Sequence, residues 1–342
     1  MKLSSYVVIH AVFGMTLLFG SKNPVIGQTP TLGKIEVVDP ALNQLIPTDA
    51  IVELLVKDKF DWAEGPVALP KEKGIIFSDI PKNMLWKWSE EKKLEKFLHP
   101  SGYTGKSKFE GREPGSNGLA FNKKGELILC QHGDRRLAIL EKDGSFKTLV
   151  DRYQGKRLNS PNDLVIKSNG DIYFTDPPYG LPKQIDDPAK ELDFQGVYRL
   201  STKGELTLLT KEMSRPNGIA FSPDEKTLYV ANSDPLKAIW MQFPVQEDGT
   251  LGKGKVFYDC TSWVSPKKLG LPDGMKVDAK GNIFATGPGG VIIFSPTGKH
   301  LGTIATGVAT ANCGWGDDGS TLYITADKNL CRVKTKTKGK GW

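Results

Sequence analysis

Beyond residue 19 the 342-residue chain has no long apolar run, so nothing there reads as a membrane span. It has four cysteines, Cys130, Cys260, Cys313 and Cys331, and no C-x-x-C spacing, which argues against a zinc ribbon. No G-x-S-x-G elbow occurs, so a serine nucleophile at a strand-to-helix turn is not expected. No G-x-x-x-x-G-K-[ST] phosphate loop occurs either. No helical period of 10–15 residues alternates with apolar runs, which disfavours a parallel βαβ sheet. Low-complexity tracts and interdomain linkers are absent after residue 30. The net charge is +7, but the basic residues are dispersed, and only Lys334, Lys336, Lys338 and Lys340 cluster. No nucleic-acid partner is therefore expected, and residues 336–342 read as a solvated, frayed basic tail.

Glycine (37) and proline (22) are plentiful, which suits an all-β architecture with many tight turns. At the N-terminus Lys2 precedes an apolar run from Tyr6 to Phe19, and small or polar residues follow from Gly20 to Asn23. This is the layout of a signal peptide, assigned to residues 1–30, with the mature chain starting between about residues 20 and 31. The chain is therefore expected to be exported, periplasmic or secreted; an uncleaved N-terminal anchor is the alternative. No cysteine closely follows the run, so a lipid attachment is not expected. In an oxidising compartment the four cysteines either pair, in one of three ways, or stay as buried thiols.

The strongest signal is an internal repeat. Six segments each open with a polar residue near Gly or Pro, run through an apolar alternation, turn, and enter a second apolar run. They start at Glu64, Asn117, Asn162, Asn217, Asp273 and Asn312, a period near 50 residues. Turns such as Lys123-Lys124-Gly125 and Ser168-Asn169-Gly170 have hairpin chemistry. Third strands follow, such as Arg136–Leu140, and a fourth is expected at Phe146–Val150. This pattern predicts a six-bladed β-propeller over residues 31–335. Ile51–Val56 is expected to be the outer strand of the last blade and to close the ring. The long polar loops 99–116 and 177–195 are expected at a pocket rim.

Equivalent positions on the innermost strands of a propeller face one axis. The column Glu64, Asn117, Asn162, Asn217, Asp273, Asn312 would therefore bring six oxygen-bearing side chains together. Hard oxygen donors suit Ca2+ or a similar divalent cation, and without a ring of His or Cys, zinc and copper are disfavoured. The alternative is that each Asn-Gly or Asp-Gly is only a turn, although that does not explain Glu64 at the same register.

Four segments, Ala63-Glu-Gly-Pro66, Ser160-Pro-Asn-Asp163, Arg215-Pro-Asn-Gly218 and Leu271-Pro-Asp-Gly-Met275, resemble the senescence marker protein/regucalcin and gluconolactonase family of propellers. The resemblance spans roughly residues 50–335. It implies a divalent cation bound by Glu64, Asn162, Asn217 and Asp273, with Asp273 also the proton acceptor and donor in opening a small-molecule lactone. Asn117, His132 and Asp163 are candidate substrate contacts; His132 is otherwise a structural histidine, and Asp163 and Asp176 are alternative bases. A propeller that binds a sugar or protein around a structural cation, and a phosphotriester hydrolase, remain as other readings. The sequence leaves the oligomeric state open.

Overall fold

The computed structural model describes residues 29–69 and 72–342. The apolar run Tyr6–Phe19 lies outside them. Almost every regular element is a strand, joined by hairpins whose second or third residue is often a glycine at positive φ, as at Gly125 and Gly170. Among the described residues Arg152–Tyr153 pairs with Lys156–Arg157 in a separate two-stranded ribbon, and the other strands form six antiparallel sheets of four or five strands. We call them blades I (63–98), II (116–150), III (164–210), IV (216–259), V (275–305) and VI (310–334). Their innermost strands contact one another in that order, and the innermost strand of blade VI packs on that of blade I. The ring is closed, and the expected six-bladed propeller is what forms.

Burial explains the layering. Second strands such as Ile75–Asp79 and Ile172–Asp176 are buried at every position, because inner and outer neighbours cover both edges and adjoining blades cover both faces. Outer strands such as Lys93–Leu98 are half-buried or exposed at every position. The core consists of layers between blades. Phe284, Ile293, Trp315 and Leu322 pack between V and VI; Phe60, Phe77, Trp88 and Tyr323 pack between I and VI. Each fully buried side chain of this size contributes about 1.5–3 kcal/mol.

Glu53–Val56 pairs antiparallel with Asn329–Lys334, so the N-terminal strand completes blade VI as expected, beginning two residues later than Ile51. Arg332 clamps this strand through two hydrogen bonds to Glu53, 2.6 and 3.1 Å. A second clasp was not expected: Lys34–Val37 joins blade V as a fifth strand beside His300–Ala305. Its four residues, Lys-Ile-Glu-Val, are too few and too polar to signal a strand.

The basic tail does not fray. Lys336 N donates to Leu45 O (2.7 Å), Lys340 N to Val277 O (3.0 Å), and the Thr337 hydroxyl to the buried Asp278 carboxylate (2.8 Å). Asp278 needs the Thr337 donor because it is sealed from water. The four cysteines are buried free thiols, so the disulfide alternative is not realised. Gly314-Trp-Gly-Asp-Asp-Gly319 has a G-x-G-x-x-G spacing. It is a hairpin between antiparallel strands, without the strand-to-helix turn that a dinucleotide site requires.

Candidate active site

The ring residues stand where the sheet ladder fails. Between the first and second strands of blades I, II and IV the register slips at Glu64/Val67, Ser116/Leu119 and Pro216/Ile219. Gly65-Pro66, Asn117-Gly118 and Asn217-Gly218 drop out of the pairing. Such bulges re-aim a side chain, here toward the axis. Blade VI slips beside Asn312, and in blades III and V the strand begins two residues after Asn162 and Asp273. The Asn-Gly pairs are therefore bulges on inner strands and not hairpin turns. The glycine is needed for close approach: a Cβ on Gly218 would lie 2.1 Å from Asp273 O, inside the next blade's backbone. Hydroxyls on second strands brace the ring. Ser78 donates to Asn117 O and Thr175 to Asn217 O, each at 2.8 Å.

Glu64, Asn117, Asn162, Asn217 and Asp273 line the floor of one axial cavity of about 450 Å³, a volume suited to a small molecule. Asn312 lies beside the floor, its amide donating to Glu64 Oε2 at 3.0 Å. Buried oxygens of Asn117, Asn162 and Asp273 (Oδ1 in each) have no hydrogen-bond donor. Unmatched buried acceptors cost free energy, and three on one floor call for a cation or a ligand that donates. Burial, then the nearby charges of Asp163 and Glu113, push Glu64 up to about 8. Asp273 is also raised well above the carboxylate range, by burial first and then by Glu64, Asp163 and Glu113. Asp273 stays partly accessible from the cavity, although its Oδ1 is enclosed.

This donor set fits a hard dication. It offers two carboxylates and neutral amide oxygens, and a bound charge of +2 would offset the repulsion that raises Glu64 and Asp273. Among the described residues no three His, Cys, Asp or Glu side chains gather as a transition-metal site would require.

The other candidates stand behind this floor. His132 is fully buried; its Nδ1 is 2.8 Å from Glu113 Oε2 and its Nε2 is 3.5 Å from Asn162 Nδ2. Asp163 follows Asn162 into the interior, where Leu164 N donates to its Oδ1 at 2.8 Å. Burial raises it, opposed chiefly by the charge of Lys276. Asp176 ends its strand and accepts from Asn159 N and Ser160 N, so it holds a loop and does not reach the cavity. Sequence reading missed Glu113, Tyr179, Arg215 and Lys268, all of which line the cavity. Glu113 and Tyr179 come from the two long loops expected at the rim. Arg215 directly precedes Pro216-Asn217, a position that could have drawn attention to it.

Residues 62–328 match the model of the SMP-30/Gluconolactonase/LRE-like region. A gluconolactonase of Zymomonas mobilis is 40% identical over 345 residues, covering 97% of this chain and 95% of that one. A regucalcin of Xenopus laevis is 25% identical over 281 residues, covering 80% and 86%. The solved structure of a gluconolactonase from Xanthomonas campestris superposes with a TM-score of 0.76 at 31% identity, covering 89% of this chain and 97% of that one.

Proposed function

The chain belongs to the SMP-30/gluconolactonase/LRE-like family, and from that premise we propose that it is a lactonase, a carboxylic ester hydrolase that opens a small sugar lactone such as gluconolactone. The observation that carries the reading is the set of unmatched acceptors beside two strained carboxylates on the floor of a small-molecule cavity. Glu64, Asn162, Asn217 and Asp273 are the residues that would hold a Ca2+-like ion. Such an ion supplies Lewis acidity toward the lactone carbonyl and the oxyanion that develops from it.

The chain's own groups do the rest. Asp273, partly open to the cavity, takes a proton from water as the water oxygen bonds to the carbonyl carbon. The ring C–O bond then breaks, and Asp273 returns the proton to the departing alkoxide, leaving a hydroxy acid. Asn117 offers its unmatched oxygen to a substrate hydroxyl. Arg215 presents a cationic donor to substrate oxygens, while Val264 and Leu271 limit the water around them. The test is gluconolactone hydrolysis with and without chelator. Turnover should vanish with EDTA and return with Ca2+, and Asp273→Asn should cost about 10² to 10⁴ in rate. Full turnover in EDTA would remove the cation from the reading. A folded protein that binds gluconate yet opens no lactone would favour a binding propeller.

Export is part of the same proposal. The mature protein recovered from its host should begin between about residues 20 and 31, and an intact Met1 on cytoplasmic protein would contradict it.

A further inference from the structure

We propose that Glu113 recognises the hydroxyl groups of the substrate, that His132 holds its carboxylate in place, and that the same imidazole turns the Asn162 amide so that its oxygen faces the axis. The inference rests on the lactonase reading and assigns the residue that selects a polyhydroxylated lactone over an unsubstituted one.

Glu113 belongs to no strand. It hangs from the loop between blades I and II, lines the cavity, and is 27% exposed there. Behind it, His132 has no access to solvent. A buried imidazole must place both ring nitrogens. Nδ1 lies 2.8 Å from Glu113 Oε2, a close contact whose angle falls short of a hydrogen bond and which a small turn of the Glu113 carboxylate would align. Nε2 lies 3.5 Å from the Asn162 amide nitrogen. With Nδ1 the donor, Nε2 is an acceptor, and the Asn162 NH2 turns toward it. The Asn162 oxygen then points away from the histidine, and it is the oxygen that lacks a donor. One imidazole thus orients an axial ligand on one side and a cavity carboxylate on the other.

Glu113 does not serve the ion. Glu64, Asp273 and Glu113 do not gather on one metal-sized point. Its charge still reaches both of the others and helps to raise them, so it overlooks the same space from further out. An ionised carboxylate only accepts hydrogen bonds. An aldonolactone brings several hydroxyl donors, whereas an unsubstituted lactone brings none. The unmatched oxygen of Asn117 on the same cavity adds a second acceptor.

The experiment measures kcat/KM for gluconolactone and for δ-valerolactone on wild type, Glu113→Gln and Glu113→Ala, with calorimetric Ca2+ titration of wild type, His132→Gln and His132→Ala. Glu113→Ala should lower the gluconolactone-to-valerolactone ratio about 10- to 100-fold, mainly through KM, with partial rescue by Glu113→Gln. His132→Ala should weaken Ca2+ binding about 10- to 100-fold, with Gln, which can still accept from Asn162, intermediate. An unaltered ratio in Glu113→Ala, or unaltered Ca2+ affinity in His132→Ala, would overturn the proposal. If wild type opens neither lactone, the lactonase reading fails by itself. Calorimetric binding of gluconate then decides: weaker binding in Glu113→Ala supports the recognition role, and equal binding overturns it.

Discussion

Chelated protein should lose stability as the pH rises from about 5 to 8, and the loss should trace to Glu64. The carboxyl is almost wholly enclosed, and without a cation its value moves from an ordinary 4.5 to about 8. Between those two values the folded state holds a proton that the unfolded chain has released. Stability therefore falls with pH: the contribution is full below about 4.5 and gone above about 8. For one independent group the span is worth at most about 5 kcal/mol. Glu64 and Asp273 share their repulsion, so a drop of a few kcal/mol is the working figure, roughly 3–6 °C in Tm for a chain of this size. Asp176, raised by burial to about 7, slopes the same way, and His300, lowered by burial, slopes the opposite way. The assay is therefore a difference: Tm against pH in EDTA for wild type minus Glu64→Gln, repeated with Ca2+. Gln should flatten the slope in EDTA and raise Tm at pH 8. Ca2+ should flatten it for wild type and do little for the variant. A wild-type curve in EDTA that matches Glu64→Gln from pH 5 to 8 would refute the account of strained carboxylates awaiting a cation.

Two further outcomes follow from packing. Gly218→Val should push the inner strand of blade V away from Asn217, because even a Cβ there lies 2.1 Å from Asp273 O; we expect a loss of about 1–3 kcal/mol and at least tenfold weaker Ca2+ binding by calorimetry. Arg332→Ala should cost about 1–3 kcal/mol by denaturant titration with little change in kcat, because this guanidinium ties the closing strand at Glu53 to Glu90 of blade I, far from the cavity floor.

The blade pattern was legible because inner strands alternate and hairpins repeat. The expected strands Arg136–Leu140 and Phe146–Val150 are observed at those residues. The ring was legible for a subtler reason. In blades I, II and IV the bulge carries Gly beside the re-aimed residue, so Glu64-Gly-Pro, Asn117-Gly and Asn217-Gly stand out from ordinary strand sequence. What stayed hidden depends on contacts remote in sequence. Lys34–Val37 is a strand only because blade V leaves an edge open for it. The lysines of the tail look like solvated charge, but the Thr337 hydroxyl among them satisfies Asp278 and the backbone beneath them bonds to Leu45, Val277 and Ala279. Glu113 sits in a loop with no period, and nothing near it in sequence marks that it meets His132.

The residue after each ring position carries a last consequence. The column reads Gly65, Gly118, Asp163, Gly218, Gly274, Cys313. Four positions have no side chain, and a Cβ on Gly118 would already meet Asp163 Oδ1 at 2.7 Å. Blade III thus places a carboxylate in space that its neighbours leave free. One of its oxygens, Oδ2, has no partner. Its charge is among those that raise both Glu64 and Asp273, and the charge that opposes it is that of Lys276. Repulsion of this kind is costly while the floor holds no cation and becomes attraction once a dication sits there. Asp163→Asn keeps the shape and removes the charge. It should raise Tm in EDTA and weaken Ca2+ binding about tenfold, about 1.4 kcal/mol, without removing a ligand. Thermal melts in EDTA and calorimetric titration test the two signs together. A variant that lost stability in EDTA, or bound Ca2+ as tightly as wild type, would show that Asp163 is a packing residue whose charge has no part in holding the ion.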